Sequence, residues 1–205
     1  MITIIDYKTG NLASIANMLK KIGCPSVITS SAEEIDRANK LILPGVGAFD
    51  TGMRNLIALG LLEVLNRKVL EDRVPILGIC LGMQLFVGES EEGELPGLGW
   101  IEGSVVKFKP ELSEKKLKVP HMSWNHTALR KESRLFDEMY DEPRFYFVHS
   151  FHVQLNREED ILAETGYGYW FTSALERSNI GGVQFHPEKS HKFGMKLLKN
   201  FAEKY

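Results

Sequence analysis

The chemistry in this sequence centres on a cysteine flanked by glycines: Gly78-Ile79-Cys80-Leu81-Gly82 follows an apolar run and precedes a helix-like stretch. Gly-x-Cys-x-Gly is the sulfur form of a nucleophile elbow, a sharp strand-to-helix turn that holds its central residue in a strained conformation. Small flanking residues let the turn pass close to its neighbours, and a helix opening at Leu81 aims unpaired amides toward the sulfur. Such a nucleophile needs a base, and the base needs an orienting group. Gln184-Phe185-His186-Pro187-Glu188 offers both, because residues two apart in extended backbone point the same way. Read alone, His-Pro is a polar residue entering a turn; beside an elbow cysteine, His186 becomes the base and Glu188 its orienter.

Acyl transfer also requires donors for a developing oxyanion. The Leu81 amide, directly after the nucleophile, is one. The second is expected from Pro44-Gly45-Val46-Gly47, whose glycines let the Val46 and Gly47 amides approach a ligand closely. The other cysteine, Cys24, lies between Gly23 and Pro25 at a helix end and reads as structural. Two cysteines in such unlike contexts imply no disulfide framework and a reducing compartment. His149 ends an apolar strand and can line the pocket. His121, His126, His152 and His191 lack metal-ligand spacing, so neither metal nor cofactor is expected.

The elements that must position these groups follow from periodicity. Residues 2–5 form an apolar strand, and Leu12, Ile15, Ala16, Leu19 and Ile22 then recur at helical spacing up to Gly23. The unit repeats: strand 26–28, helix 32–38, strand 40–43, helix 50–70 broken near Gly60, strand 75–79. Alternation of this kind predicts a mainly parallel sheet with helices on both faces and reactive groups at the carboxyl ends of the strands. Segments 105–108, 144–148, 169–175 and 180–185 are joined by linkers too short for crossover helices, so antiparallel strands should extend the sheet. Stretches 88–99 and 110–118 read as charged surface loops. Phe193, Leu197 and Phe201, spaced four apart, mark the inward face of a C-terminal helix.

Composition sets the outer limits. At 205 residues and 43% hydrophobic, the chain is expected to form a single domain over 1–205. A net charge of −2 with no basic block argues against nucleic acid, and no apolar run approaches membrane-spanning length. The opening residues carry neither a basic start nor a cleavage site, and the location expected is cytoplasmic.

The segments Pro44-Gly45-Val46-Gly47-Ala48-Phe49, Gly78 to Gln84 and Val183-Gln184-Phe185-His186-Pro187-Glu188 resemble the class I glutamine amidotransferases, in the same order of Cys before His-x-Glu. The start Asp6 to Leu12, Val119-Pro120-His121-Met122-Ser123-Trp124-Asn125 and Tyr146 to Ser150 are similar to the glutaminase subunits of imidazole glycerol phosphate synthase within that group. The resemblance spans nearly the whole chain. It implies hydrolysis of glutamine through Cys80, His186 and Glu188, with ammonia passing to a partner cyclase, a (β/α)8 barrel in a heterodimer, that makes imidazole glycerol phosphate and AICAR in histidine biosynthesis. Matched by position, Gly47, Gln84, Ser150 and Phe151 would hold glutamine, while Asn11, Trp124 and Lys189 would face the partner. Ser123 stands where glycine is more usual and Phe151 where tyrosine is common. Glutaminases serving anthranilate, aminodeoxychorismate or guanylate synthesis share the triad and remain open at this point. So do an anion-binding module with an inert Cys80, and a cysteine peptidase or γ-glutamyl hydrolase on the same fold.

Overall fold

The computed structural model describes residues 1–109, 111 and 117–205, so the expected loop 110–118 lies mostly outside the described residues. Strands β1 (Ile2–Ile5), β3 (Leu41–Gly45) and β4 (Ile76–Cys80) are buried at every position. Continuous apolar runs of this kind belong to parallel strands covered on both faces. Because side chains alternate along a strand, they feed two separate cores. Ile5, Leu41, Leu43 and Ile76 enter one, against α2 (Ala32–Asp36), α3 (Phe49–Ala58) and α4 (Leu62–Asn66). Ile4, Ile42, Leu77 and Ile79 enter the other, against α1 (Leu12–Lys21) and the C-terminal helix α6 (His191–Lys204), which contributes Phe193, Leu197 and Phe201 as expected.

The main sheet starts with the parallel order β2 (Ser26–Thr29), β1, β3, β4. Beyond it come the later strands β5 (Glu89–Ser90), β6 (Gly103–Lys107), β10 (Phe151–Leu155), β12 (Tyr169–Arg177) and β13 (Ile180–Val183). β13 runs parallel to β4 and antiparallel to β12, so the sheet reverses its pattern one strand later than the linker lengths suggest. From β12 the order continues through β10, β6 and β5, with β11 (Ile161–Tyr167) branching from β12 and the short β8 (Ala128–Leu129) pairing with β11.

The structure corrects three further expectations. Strand 144–148 does not extend the main sheet: as β9 (Arg144–His149) it pairs with β7 (His121–His126) in a separate two-stranded antiparallel sheet. The stretch 88–99 is more than a surface loop, since it holds β5 and is anchored by Asp50, whose carboxylate accepts from the Glu94 and Leu95 amides. Helix 32–38 stops at Asp36. The break near Gly60 occurs where expected, between α3 and α4.

Candidate active site

The site forms where three neighbouring strands end. Register pairs Gly45 of β3 with Cys80 of β4, and Val183 of β13 with Ile79. The loop after β3, the elbow after β4 and the segment after β13 therefore meet at one carboxyl edge, the place where open α/β sheets put their reactive groups. Cys80 has φ 54° and ψ −109°, left-handed backbone that costs a non-glycine residue about 1–3 kcal/mol. The chain turns there directly into the four-residue helix α5 (Leu81–Gln84). The flanking glycines are steric requirements: a Cβ on Gly82 would lie 1.7 Å from the Leu43 carbonyl oxygen, and one on Gly78 would lie 2.6 Å from the Phe86 ring and 2.7 Å from the Met83 amide nitrogen.

His186 and Glu188 are almost fully buried behind the sulfur, with His186 Nδ1–H donating to Glu188 Oε1 at 2.8 Å. Ser190 braces the turn: its hydroxyl donates to the His186 carbonyl at 2.6 Å and accepts from the Tyr146 amide at 3.0 Å. Burial alone would push the His186 pKa down. The Cys80 sulfur and the Glu188 carboxylate outweigh burial and raise it to about 10. Its Nε2 has no well-aligned hydrogen bond among the described residues. That edge is free to trade a proton with a reacting group.

A cavity of about 490 Å³ opens over the sulfur, lined by Val46, Gly47, Cys80, Leu81, Gln84, Ser150 and Phe151, and also by Glu92, Pro120, Val148 and His149. Its size suits a small metabolite. Leu81 is the first helical residue, so its amide has no intrahelical acceptor, and Gly47 sits at φ +114°, which suits glycine. Gln84 is held by its amide nitrogen, donating to the Phe151 carbonyl and to Gln184 Oε1, each at 3.0 Å. Cys24 and Cys80 are both free, and Cys24 lies at the end of α1, away from the cavity.

The three residues expected to face a partner are divided. Trp124 and Lys189 come together around Tyr146: the indole is 39% exposed and stacks on His191 at 5.4 Å, while the ammonium sits 5.6 Å over the Tyr146 ring. Asn11 is exposed and caps α1, its side chain accepting from the Ser14 amide at 3.4 Å. Sequence reasoning passed over two residues. Gln184, fully buried, donates its side-chain amide to the Cys80 sulfur at 3.6 Å. Glu92 reaches the cavity while accepting from the Phe49 amide at 2.9 Å. Gln184 carried one available signal, its position two residues before the base; Glu92, inside an acidic loop, carried none.

An α/β sheet presenting a strained cysteine, a carboxylate-oriented histidine and nearby backbone donors defines a class: enzymes that transfer acyl groups through a thioester. The family model for class-I glutamine amidotransferases matches residues 3–205, and the chain belongs to that family. It is 54% identical to "Imidazole glycerol phosphate synthase subunit HisH 2" of Methanococcus maripaludis and 49% identical to the protein of the same name in Pseudomonas aeruginosa, with 99% of both chains covered in each comparison. Among solved structures, it is similar to a putative GMP synthase protein from Thermoplasma acidophilum, with TM-score 0.70, 19% identity and coverage of 98% of this chain and 91% of that one. At that identity the likeness speaks for the fold alone.

Proposed function

We propose that residues 1–205 act as one glutaminase domain that releases ammonia from glutamine for imidazole glycerol phosphate synthesis. The observation that carries the reading is the buried His186–Glu188 pair set behind a cysteine in left-handed backbone. Relatives that share about half of the sequence and carry the name of the synthase subunit support the particular pathway.

In this mechanism the Cys80 thiol passes its proton to His186 and the sulfur attacks the side-chain amide carbon of glutamine, forming the C–S bond while the carbonyl electrons move to oxygen. The Leu81 amide and an amide of the Val46-Gly47 loop hold that oxyanion. Collapse breaks the C–N bond, and His186 gives its proton to the departing ammonia. A water then loses a proton to His186 and attacks the thioester, so glutamate leaves and the sulfur is restored. Glu188 keeps the imidazole in one tautomer and stabilises its charged form. Gln84, Gly47, Ser150 and Phe151 border the cavity over the sulfur and hold the substrate there.

The ammonia acceptor would be a (β/α)8-barrel cyclase subunit in a heterodimer, making the whole assembly a lyase of histidine biosynthesis. A reducing, cytoplasmic setting fits a free thiol in this role. No described helix is long and apolar enough to cross a membrane. Glutamate release, measured with and without the cyclase, tests the reading. Cys80→Ala should abolish glutamine-dependent synthesis while synthesis from added ammonium continues; substantial glutaminase activity in Cys80→Ala would overturn it.

A further inference from the structure

A continuous, mostly buried chain of hydrogen bonds runs from the two-stranded sheet to the sulfur, and chemistry fixes its direction at every link. Its anchor is the Phe151 carbonyl, which can only accept. Gln84 donates to that oxygen and turns its second N–H to Gln184 Oε1, so the Gln184 amide nitrogen is left facing the Cys80 sulfur at 3.6 Å. Rotating Gln184 by half a turn would set two nitrogens against each other.

From the other side His149 Nδ1–H donates to the same carbonyl at 2.8 Å, which makes its Nε2 the acceptor for His121 Nδ1–H at 3.1 Å. Asn125 closes the chain by donating to His121 Nε2 at 3.4 Å and to the Gly166 carbonyl at 2.9 Å. Neutral imidazoles are needed for this order, and burial keeps both rings neutral: it pushes His121 down to about 4 and His149 well below its ordinary value.

We propose that Gln184 is a further catalytic residue, donating a hydrogen bond to the Cys80 sulfur that favours the thiolate, with its amide locked in the donating direction by Gln84 and the Phe151 carbonyl. A buried N–H beside a sulfur stabilises the charged form more than the thiol, because a hydrogen bond to an ion is about twice as strong as one between neutral groups. Gln184 is fully buried, which shields its amide from bulk solvent. His149 and His121 are positioning residues, since they act on the sulfur only by holding the carbonyl that orders the chain.

The catalytic consequence rests on the glutaminase reading, but the contact with the sulfur does not, and the experiment addresses the contact. The pH dependence of Cys80 alkylation by iodoacetamide and of thiolate ultraviolet absorbance is measured in a Cys24→Ser background. Gln184→Met, close in volume but without a donor, should move the midpoint upward by about one unit, and Gln184→Glu by more because a carboxylate then faces the sulfur. Glutamine turnover at neutral pH should fall about tenfold in Gln184→Met. Midpoints unchanged in both variants, with folding intact, overturn the proposal. Should the variants not fold, unsubstituted Gln184 supplies the readout: its side-chain amide NMR signal should titrate with the sulfur, and a signal that stays fixed overturns the proposal. Loss of glutaminase activity in the unsubstituted chain with its cyclase would instead overturn the functional reading and leave the sulfur contact standing.

Discussion

The imidazole of His186 carries two opposed effects, burial and the pull of the Cys80 sulfur and the Glu188 carboxylate, and the neighbours win. A base that holds its proton more tightly folded than unfolded stabilises the fold below its ordinary pKa of 6.5 and loses that contribution as pH rises toward 10. Removing the Glu188 charge weakens one source of the difference. Glu188→Gln should therefore flatten the decline of thermal stability across this alkaline window, read by melts at a series of pH values, and lower kcat for glutamine by about a thousandfold or more. Cys24→Ser, away from the cavity, should do neither. The residues behind these expectations could be read from short segments, because an elbow and His-x-Glu are local patterns. Gln184 had only its place two residues before the base to mark it, and its contact with the sulfur exists only once the end of β13 is laid beside β4.

Elements show the same division. The parallel half was legible because its central strands β1, β3 and β4 are largely apolar and buried at every position, and its helices have regular spacing. Strand β7 inverts the rule on which such reading depends: His121 and Asn125 point toward the buried polar chain, while Met122 and Trp124 are 58% and 39% exposed. Hydrophobic alternation would turn this strand the wrong way round, and the two-stranded sheet was missed accordingly. His121 stacks between Phe147 and Tyr167 at 4.8 and 4.0 Å. Since burial lowers its pKa to about 4, it supports folding above 6.5 and loses that support as pH falls toward 4. His121→Phe, which keeps a stacking ring and removes the titration, should make stability less sensitive to acid in that window, measured by urea midpoints at each pH. Between Gly82 of the elbow and Gly181 of β13 the contrast is sharper. Gly82→Ala meets the Leu43 carbonyl at 1.7 Å and should cost about 3 kcal/mol or more, on the order of 10 °C in Tm. In Gly181→Ala the new methyl finds Leu77 at an ordinary 3.7 Å, and Tm should move by a few degrees at most, about 1 kcal/mol.

At the scale of the whole molecule, the outward face of the two-stranded sheet and the turn after His186 form one surface. Met122 and Trp124 stand on β7, Trp124 packs flat on His191, and Lys189 lies over Tyr146 on the strand beside it. Lys189 is one residue beyond Glu188, and α1 packs against the same turn. A partner seated here would touch the segment that carries both the base and its orienter, whereas free hydrolysis of glutamine would waste the ammonia. Docking is therefore expected to shift the site toward a conformation with both oxyanion amides aimed inward, by binding that conformation more tightly than the alternative. Steady-state glutamate production should be low for the chain alone, higher with the cyclase, and higher again when the cyclase holds its nucleotide substrate. Lys189→Ala and Trp124→Ala should weaken that stimulation while leaving the alkylation rate of Cys80 in the free chain unchanged, because neither side chain lines the cavity over the sulfur. Full activity in the isolated chain, indifferent to both additions, would remove the coupling and leave the chemistry of Cys80, His186 and Glu188 untouched.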